Sequence, residues 1–114
     1  MPTDCIFCKI AAGEIPAKIV FRDDRVLAIE DVNPQAPVHL LVMPVEHHPN
    51  IGALSDASDA ELLAKLIQVA TALGRERGGK GYRLVLNTGA DGGQTVDHLH
   101  VHVLAGRAMT WPPG

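Results

Sequence analysis

Positive charge is in short supply in this chain: 10 Lys and Arg stand against 13 Asp and Glu, for a net charge of −3. That balance creates no field to gather a nucleic-acid polymer, although a small phosphorylated ligand needs only local donors. Cysteine is scarcer still, limited to Cys5 and Cys8. Their close spacing staples little chain, and the N-terminus lacks the basic-then-apolar pattern of an export signal. A structural disulfide is therefore not expected, and a cytoplasmic protein is. No apolar run approaches the length that spans a bilayer, so no membrane partner is expected. Repeats, low-complexity tracts and Pro/Gly linkers are also missing. Residues 1–114 thus read as one domain with a single hydrophobic core, which the 46% apolar content can fill.

What is present is a short alternation of elements. Cys5 to Ala12 carries apolar residues at Ile6, Phe7, Ile10 and Ala11, the spacing of a short helix stopped by Gly13 and Pro16. Lys18 to Arg22 and Val26 to Asp31 read as a hairpin around Asp23-Asp24. Two prolines make 33–37 a loop, and His39 to Met43 follows as a strand ended by Pro44. The long helix has Ser58 as expected N-cap with Glu61 completing a capping box, and Leu62, Leu63, Leu66, Ile67, Val69, Ala70 and Leu73 at helical spacing to Arg77. Gly78-Gly79 is expected to close it in the left-handed conformation. Tyr82 to Asn87 and His98 to Ala105 are the last strands, joined by a glycine-rich loop over 88–97. The expectation is an α+β fold: an antiparallel five-stranded sheet with one long and one short helix.

The chemistry concentrates near the end. In His98-Leu99-His100-Val101-His102, three of the six histidines alternate with branched apolar residues. On a strand, residues two apart share a face at roughly 6.6 Å, so the imidazoles form a row while Leu99, Val101 and Val103 point into a core. Imidazoles titrate near neutral pH, which suits them to acid, base, nucleophile or ligand. Taken singly, His39 reads as an ordinary sheet histidine, Asp31 as a turn cap, Asn87 as a strand-end hydrogen bonder and Gly92-Gly93 as a turn. A His-x-His pair on a strand also suits a catalytic metal, with His39 or Asp97 as third ligand.

The row has the form His-φ-His-φ-His-φ-φ, with φ apolar, and so resembles the signature of the histidine-triad family. The resemblance extends through Glu14-Ile15-Pro16, the stretch from Asp31 through Pro34-Gln35-Ala36-Pro37 to His39, Asn87-x-Gly89, Gly92-Gly93-Gln94 and Trp111-Pro112-Pro113-Gly114. It covers nearly the whole chain and points to the nucleotide-binding, phosphoramidase branch. It implies a homodimer that hydrolyses purine nucleoside 5′-phosphoramidates through a covalent nucleotidyl-histidine, with no metal needed for the step. On that resemblance His100 is the nucleophile, His102 and the loop backbone around Gly93 bind phosphate oxygens, and Thr95 stands where a serine assists the leaving amine. His39 would set tautomer and protonation in the row. Asn87 and Gln94 would supply neutral hydrogen bonds, and Asp31 would accept the ribose hydroxyls. Ile6, Phe7, Ile10, Ile15, Ile29 and Val32 would wall the purine pocket, as mostly apolar ligand sites require. Ile29 and Asp97 depart from the aromatic residues of close relatives. Asp97 is expected to raise the pKa of His98 if the two approach.

Cys5-x-x-Cys8 has the spacing of two zinc thiolates. The resemblance implies a structural zinc completed by His98 and His47; His48 would serve as well, and sequence does not choose between them. Otherwise both cysteines are small apolar residues of a short helix. Within the family the second activity is hydrolysis of dinucleoside polyphosphates. From another class, the chain would be a nucleotide-binding adaptor with vestigial turnover.

Overall fold

The computed structural model describes residues 4–114. The elements run α1 (Ile6–Ala11), β1 (Ile19–Arg22), β2 (Val26–Glu30), β3 (Val38–Pro44), a 3-10 turn (Ile51–Ala53), α2 (Ala57–Arg77), β4 (Tyr82–Val85) and β5 (Val101–Ala105). The five strands form one antiparallel sheet in the order β1-β2-β3-β5-β4, as the fold class expected. No helix among the described residues is long and apolar enough to cross a membrane.

Strand alternation divides the sheet into two working faces. Val26, Ala28, Leu40, Val42, Val101 and Val103 lie on one face and are buried against Leu62, Leu66, Val69, Ala70 and Leu73 of α2. The residues between them, Leu27, Ile29, Leu41 and Met43, form the other face and bury Phe7, Cys8, Ile10 and Ala11 of α1. Pairing of Leu41 with His102 and of His39 with Leu104 puts both histidines on this second face, diagonally across β3 and β5. The α2 face is pure core. The α1 face carries the chemistry.

Three local expectations are corrected. The N-cap of α2 is Asp56, not Ser58: Asp56 Oδ1 accepts the Asp59 amide at 2.8 Å, while Asp59 Oδ2 accepts from Ser55 at 2.8 Å and Asp56 at 3.4 Å. This earlier box satisfies an additional loop amide that the Ser58–Glu61 pair would leave outside the helix. Gly78 closes α2 with φ −103°, so it is not left-handed. A Cβ there would sit 2.7 Å from the Gly74 carbonyl oxygen and 3.0 Å from Ala105 Cβ, which is the reason for glycine. The last strand begins at Val101 rather than His98. The β3–β5 pairing ends at Val42 with Val101. Pro44 has no N–H to extend the ladder, and its carbonyl is taken by the His98 ring at 2.8 Å.

Gly74, inside α2, faces Tyr82 on β4. An added Cβ would lie 2.6 Å from the tyrosine ring. At an exposed helical site Gly→Ala stabilises by about 1 kcal/mol. Here overpacking reverses the sign, and Gly74→Ala is expected to cost about 1–3 kcal/mol in urea denaturation.

Candidate active site

His39 rises from the middle of the sheet, 6% exposed, and its partners fix its protons. The Gln35 amide donates to His39 Nδ1 at 3.0 Å, so Nδ1 holds a lone pair and the neutral ring carries its hydrogen on Nε2. That Nε2–H points at His102 Nδ1, 2.8 Å away, with Asp31 Oδ2 at 3.4 Å. His102 therefore accepts through Nδ1 and presents Nε2–H outward. His100, 8% exposed, donates Nδ1–H to the main-chain carbonyl of His98 at 2.7 Å, which leaves a lone pair on Nε2. The His100 and His102 ring centroids are 4.9 Å apart, and Phe7 meets His100 edge-on at 5.1 Å. One ring thus offers a nucleophilic nitrogen beside another that offers a donor, the pairing that covalent transfer to a phosphorus needs.

Burial disfavours the charged forms of His39 and His102. It pushes His102 down to about 4, helped by the neighbouring imidazoles His100 and His39, and it lowers His39 as well. Between pH 6.5, the ordinary histidine value, and about 4, the unfolded chain binds a proton at position 102 that the folded chain refuses. Stability is therefore full above pH 6.5 and falls as pH drops toward 4. Proton NMR is expected to show the His102 ring neutral down to about pH 4, with the unfolding free energy declining through the same window.

The remaining residues divide. Asp31 accepts the Asn33 amide through Oδ1 at 2.8 Å, so it caps its turn and also turns Oδ2 toward His39. Gln94 is occupied by main-chain groups: Nε2 donates to the Val96 carbonyl of its own loop at 3.1 Å and to the Pro49 carbonyl beyond β3 at 2.7 Å, and Oε1 accepts the Gly89 amide at 3.0 Å. Gly93 on that loop has φ +83°, and Thr95 is exposed beside it. Asn87 is half-buried just past β4. Phe7, Ile10 and Ile29 are buried in the α1 face, Ile15 packs at its margin, Ile6 is 45% exposed and Val32 is 97% exposed.

The expectation for Asp97 is overturned. Asp97 is exposed, and His98, with no exposed surface, is pushed down to about 4 by its burial rather than up. The groups that matter around the triad are backbone ones: the Gln35 amide and the carbonyls of Pro44 and His98. Nearly every residue type carries such groups, proline lacking only the N–H, so nothing in the sequence singles them out.

A second cluster backs the first. Cys5 Sγ lies 3.3 Å and Cys8 Sγ 3.5 Å from His98 Nδ1; His47 Nδ1 lies 3.3 Å from both Cys8 Sγ and His98 Nδ1. Because His98 gives its Nε2–H to Pro44, its Nδ1 lone pair faces the sulfurs. Zinc bonds of about 2.3 Å to sulfur and 2.0–2.1 Å to nitrogen place tetrahedral S···N edges at about 3.5 Å and N···N edges at about 3.3 Å. The observed spacings match that figure, so Cys5, Cys8, His47 and His98 fit a closed structural zinc site. His48 stands apart, its Nε2 3.7 Å from Glu46. Burial pushes the Cys8 thiol up to about 11, and a bound dication is what would let it ionise.

The profile of the HIT domain matches residues 12–109. The chain belongs to the HIT family. It is 50% identical to a HIT-like protein of Synechocystis over the full length of both. It is also 45% identical to the 14 kDa zinc-binding protein of Zea mays, over 96% of this chain and 87% of that one. Among solved structures, a HIT family hydrolase of Legionella pneumophila superposes with a TM-score of 0.92 at 50% identity, covering 97% of this chain and all of that one. The HIT fold thus extends over nearly the whole chain, and it is a hydrolase fold.

Proposed function

We propose that the protein hydrolyses purine nucleoside 5′-phosphoramidates through a nucleotidyl-His100 intermediate. The observation that carries this is the His100 tautomer: Nδ1–H bound to the His98 carbonyl at 2.7 Å leaves Nε2 as the free nucleophile. Nε2 attacks the α-phosphorus, a P–N(His) bond forms, the P–N(amine) bond breaks, and the amine leaves with a proton supplied by way of Thr95. Water then attacks the same phosphorus, the P–N(His) bond breaks, the water's proton passes to solvent, and neutral His100 returns with release of AMP or GMP. His102 Nε2–H and the backbone around Gly93 would hold the phosphate oxygens as charge moves onto them. Asp31 Oδ2 would accept from the ribose hydroxyls, and Ile6 and Val32, both exposed, would close on the purine.

The four donors Cys5, Cys8, His47 and His98 would hold a structural zinc with no part in bond breaking. As the resemblance implies, two copies would join sheets across a two-fold axis. The half-buried edge strand β4 and Trp111, 83% exposed, support that arrangement.

The test is a paired assay of an adenosine phosphoramidate and diadenosine tetraphosphate, with intact-mass analysis of protein quenched in alkaline denaturant, which spares the P–N(His) bond. The expected result is preference for the phosphoramidate and one AMP adduct, mapped to His100. Faster cleavage of the tetraphosphate would transfer the assignment to dinucleoside polyphosphates, and an adduct at His98 or His102 would overturn the mechanism.

A further inference from the structure

His98 belongs to two sites at once. Its ring, with no exposed surface, gives Nε2–H to the Pro44 carbonyl and turns Nδ1 to Cys5, Cys8 and His47. Its main-chain carbonyl accepts His100 Nδ1–H and so selects the tautomer that leaves Nε2 free. Phe7 makes a second connection. It lies between the two cysteines on α1 and meets the His98 ring edge-on at 5.8 Å and the His100 ring at 5.1 Å.

We propose that the Cys5–Cys8–His47–His98 centre and the nucleotide site are thermodynamically linked through His98, so that a bound metal and a bound nucleotide tighten each other's hold. The proposal rests on reading His100 as the residue that meets the nucleotide's phosphate. With a divalent ion in place, the His98 ring is held at both nitrogens and its carbonyl is fixed under His100. Without the ion, Nδ1 has only weak thiol donors and one imidazole N–H to hold it, and the rest of His98 relies on Nε2–H to the Pro44 carbonyl and on the main-chain bonds of His98 N–H to Val96 and Leu99 N–H to His48. The His98 ring is then held on one side only, its carbonyl is set less firmly under His100, and His100 gains access to the tautomer that carries hydrogen on Nε2 and offers phosphorus no lone pair. A nucleotide that engages Nε2 draws on the ordered form and so favours the ring orientation that binds metal. Linkage makes the two effects equal: whatever factor the metal adds to nucleotide affinity, the nucleotide adds to metal affinity.

The experiment uses the full chain, zinc and AMP. Zinc affinity is measured by competition with a chromophoric chelator, with and without saturating AMP, and AMP affinity by calorimetry on zinc-loaded and zinc-free protein. The expected result is the same factor from both directions, about 5-fold or more. A cobalt-loaded sample guards against the trivial case in which zinc-free protein unfolds. Adding AMP is expected to move its visible absorption bands in the native protein and to leave them in place in AMP-saturated His100→Ala, which lacks the Nδ1–H. Zinc affinity indifferent to AMP, a cobalt spectrum unmoved in the native protein, or a linkage that survives in His100→Ala would each overturn the proposal. Reciprocal linkage without phosphoramidate cleavage would sink the activity and leave the coupling standing; cleavage with independent affinities would do the reverse.

Discussion

Replacing His100 with alanine is expected to lower turnover of an adenosine 5′-phosphoramidate by about 10³-fold or more, with AMP still bound. A 10³-fold loss corresponds to about 4 kcal/mol of barrier, more than the removal of one neutral hydrogen bond supplies. The size follows from what the side chain does. His100 would form the bond to phosphorus, and its neighbours have their nucleophilic nitrogens committed: His102 Nδ1 faces His39, and His98 Nδ1 faces the cysteines. No adjacent imidazole can take over the attack. The readout is steady-state release of amine together with AMP binding by calorimetry. A variant that retains more than a tenth of native turnover contradicts covalent catalysis at this position. If native protein binds AMP yet turns over no phosphoramidate, the chain is a nucleotide-binding adaptor instead.

Metal removal is expected to have the second largest effect, this time on stability. The four donors come from the start of α1, the segment after β3 and the segment before β5, so one bound ion would close two long stretches of chain. Structural zinc in small domains contributes on the order of 10 kcal/mol. Each kcal/mol shifts the melting temperature of a domain this size by roughly 4 °C. Stripping zinc with a chelator is therefore expected to lower the melting temperature by at least about 10 °C, because even a quarter of that energy suffices. Calorimetry with metal analysis checks it. Cys8→Ser should lose both the zinc and the increment, whereas His48→Ala should keep both. A zinc-free native protein, or an unchanged melting temperature, contradicts the structural role.

How far this was visible beforehand depends on which forces set each feature. Alternation in the last strand gave away its two faces, because Val101 and Val103 are bulky and apolar with His102 between them, and burial alternates over Val101–Ala105; just before it His98 and His100 are buried together with Leu99, which alternation did not announce. The run from Leu62 to Leu73 announced α2 for the same reason. Cap choice was not legible, since Asp56–Asp59 and Ser58–Glu61 both satisfy the local rule, and the Ser55 amide decided between them. The start of the last strand depended on where a partner strand stopped, which is a tertiary fact. His47 and His48 are indistinguishable by composition, and only the path of the chain after Pro44 turns the first toward the cysteines. The tautomers were hidden entirely, because carbonyls and amides set them.

The diagonal of His39 and His102 across two neighbouring strands carries an implication for how such a chain can lengthen or shorten over time. One residue gained or lost inside β3 or β5 would rotate its imidazole into the oily layer beneath α2 and push a valine or leucine out in its place. Only paired insertions preserve the geometry there, so changes in length should collect in the turns, and these strands should keep a constant count wherever the chemistry survives.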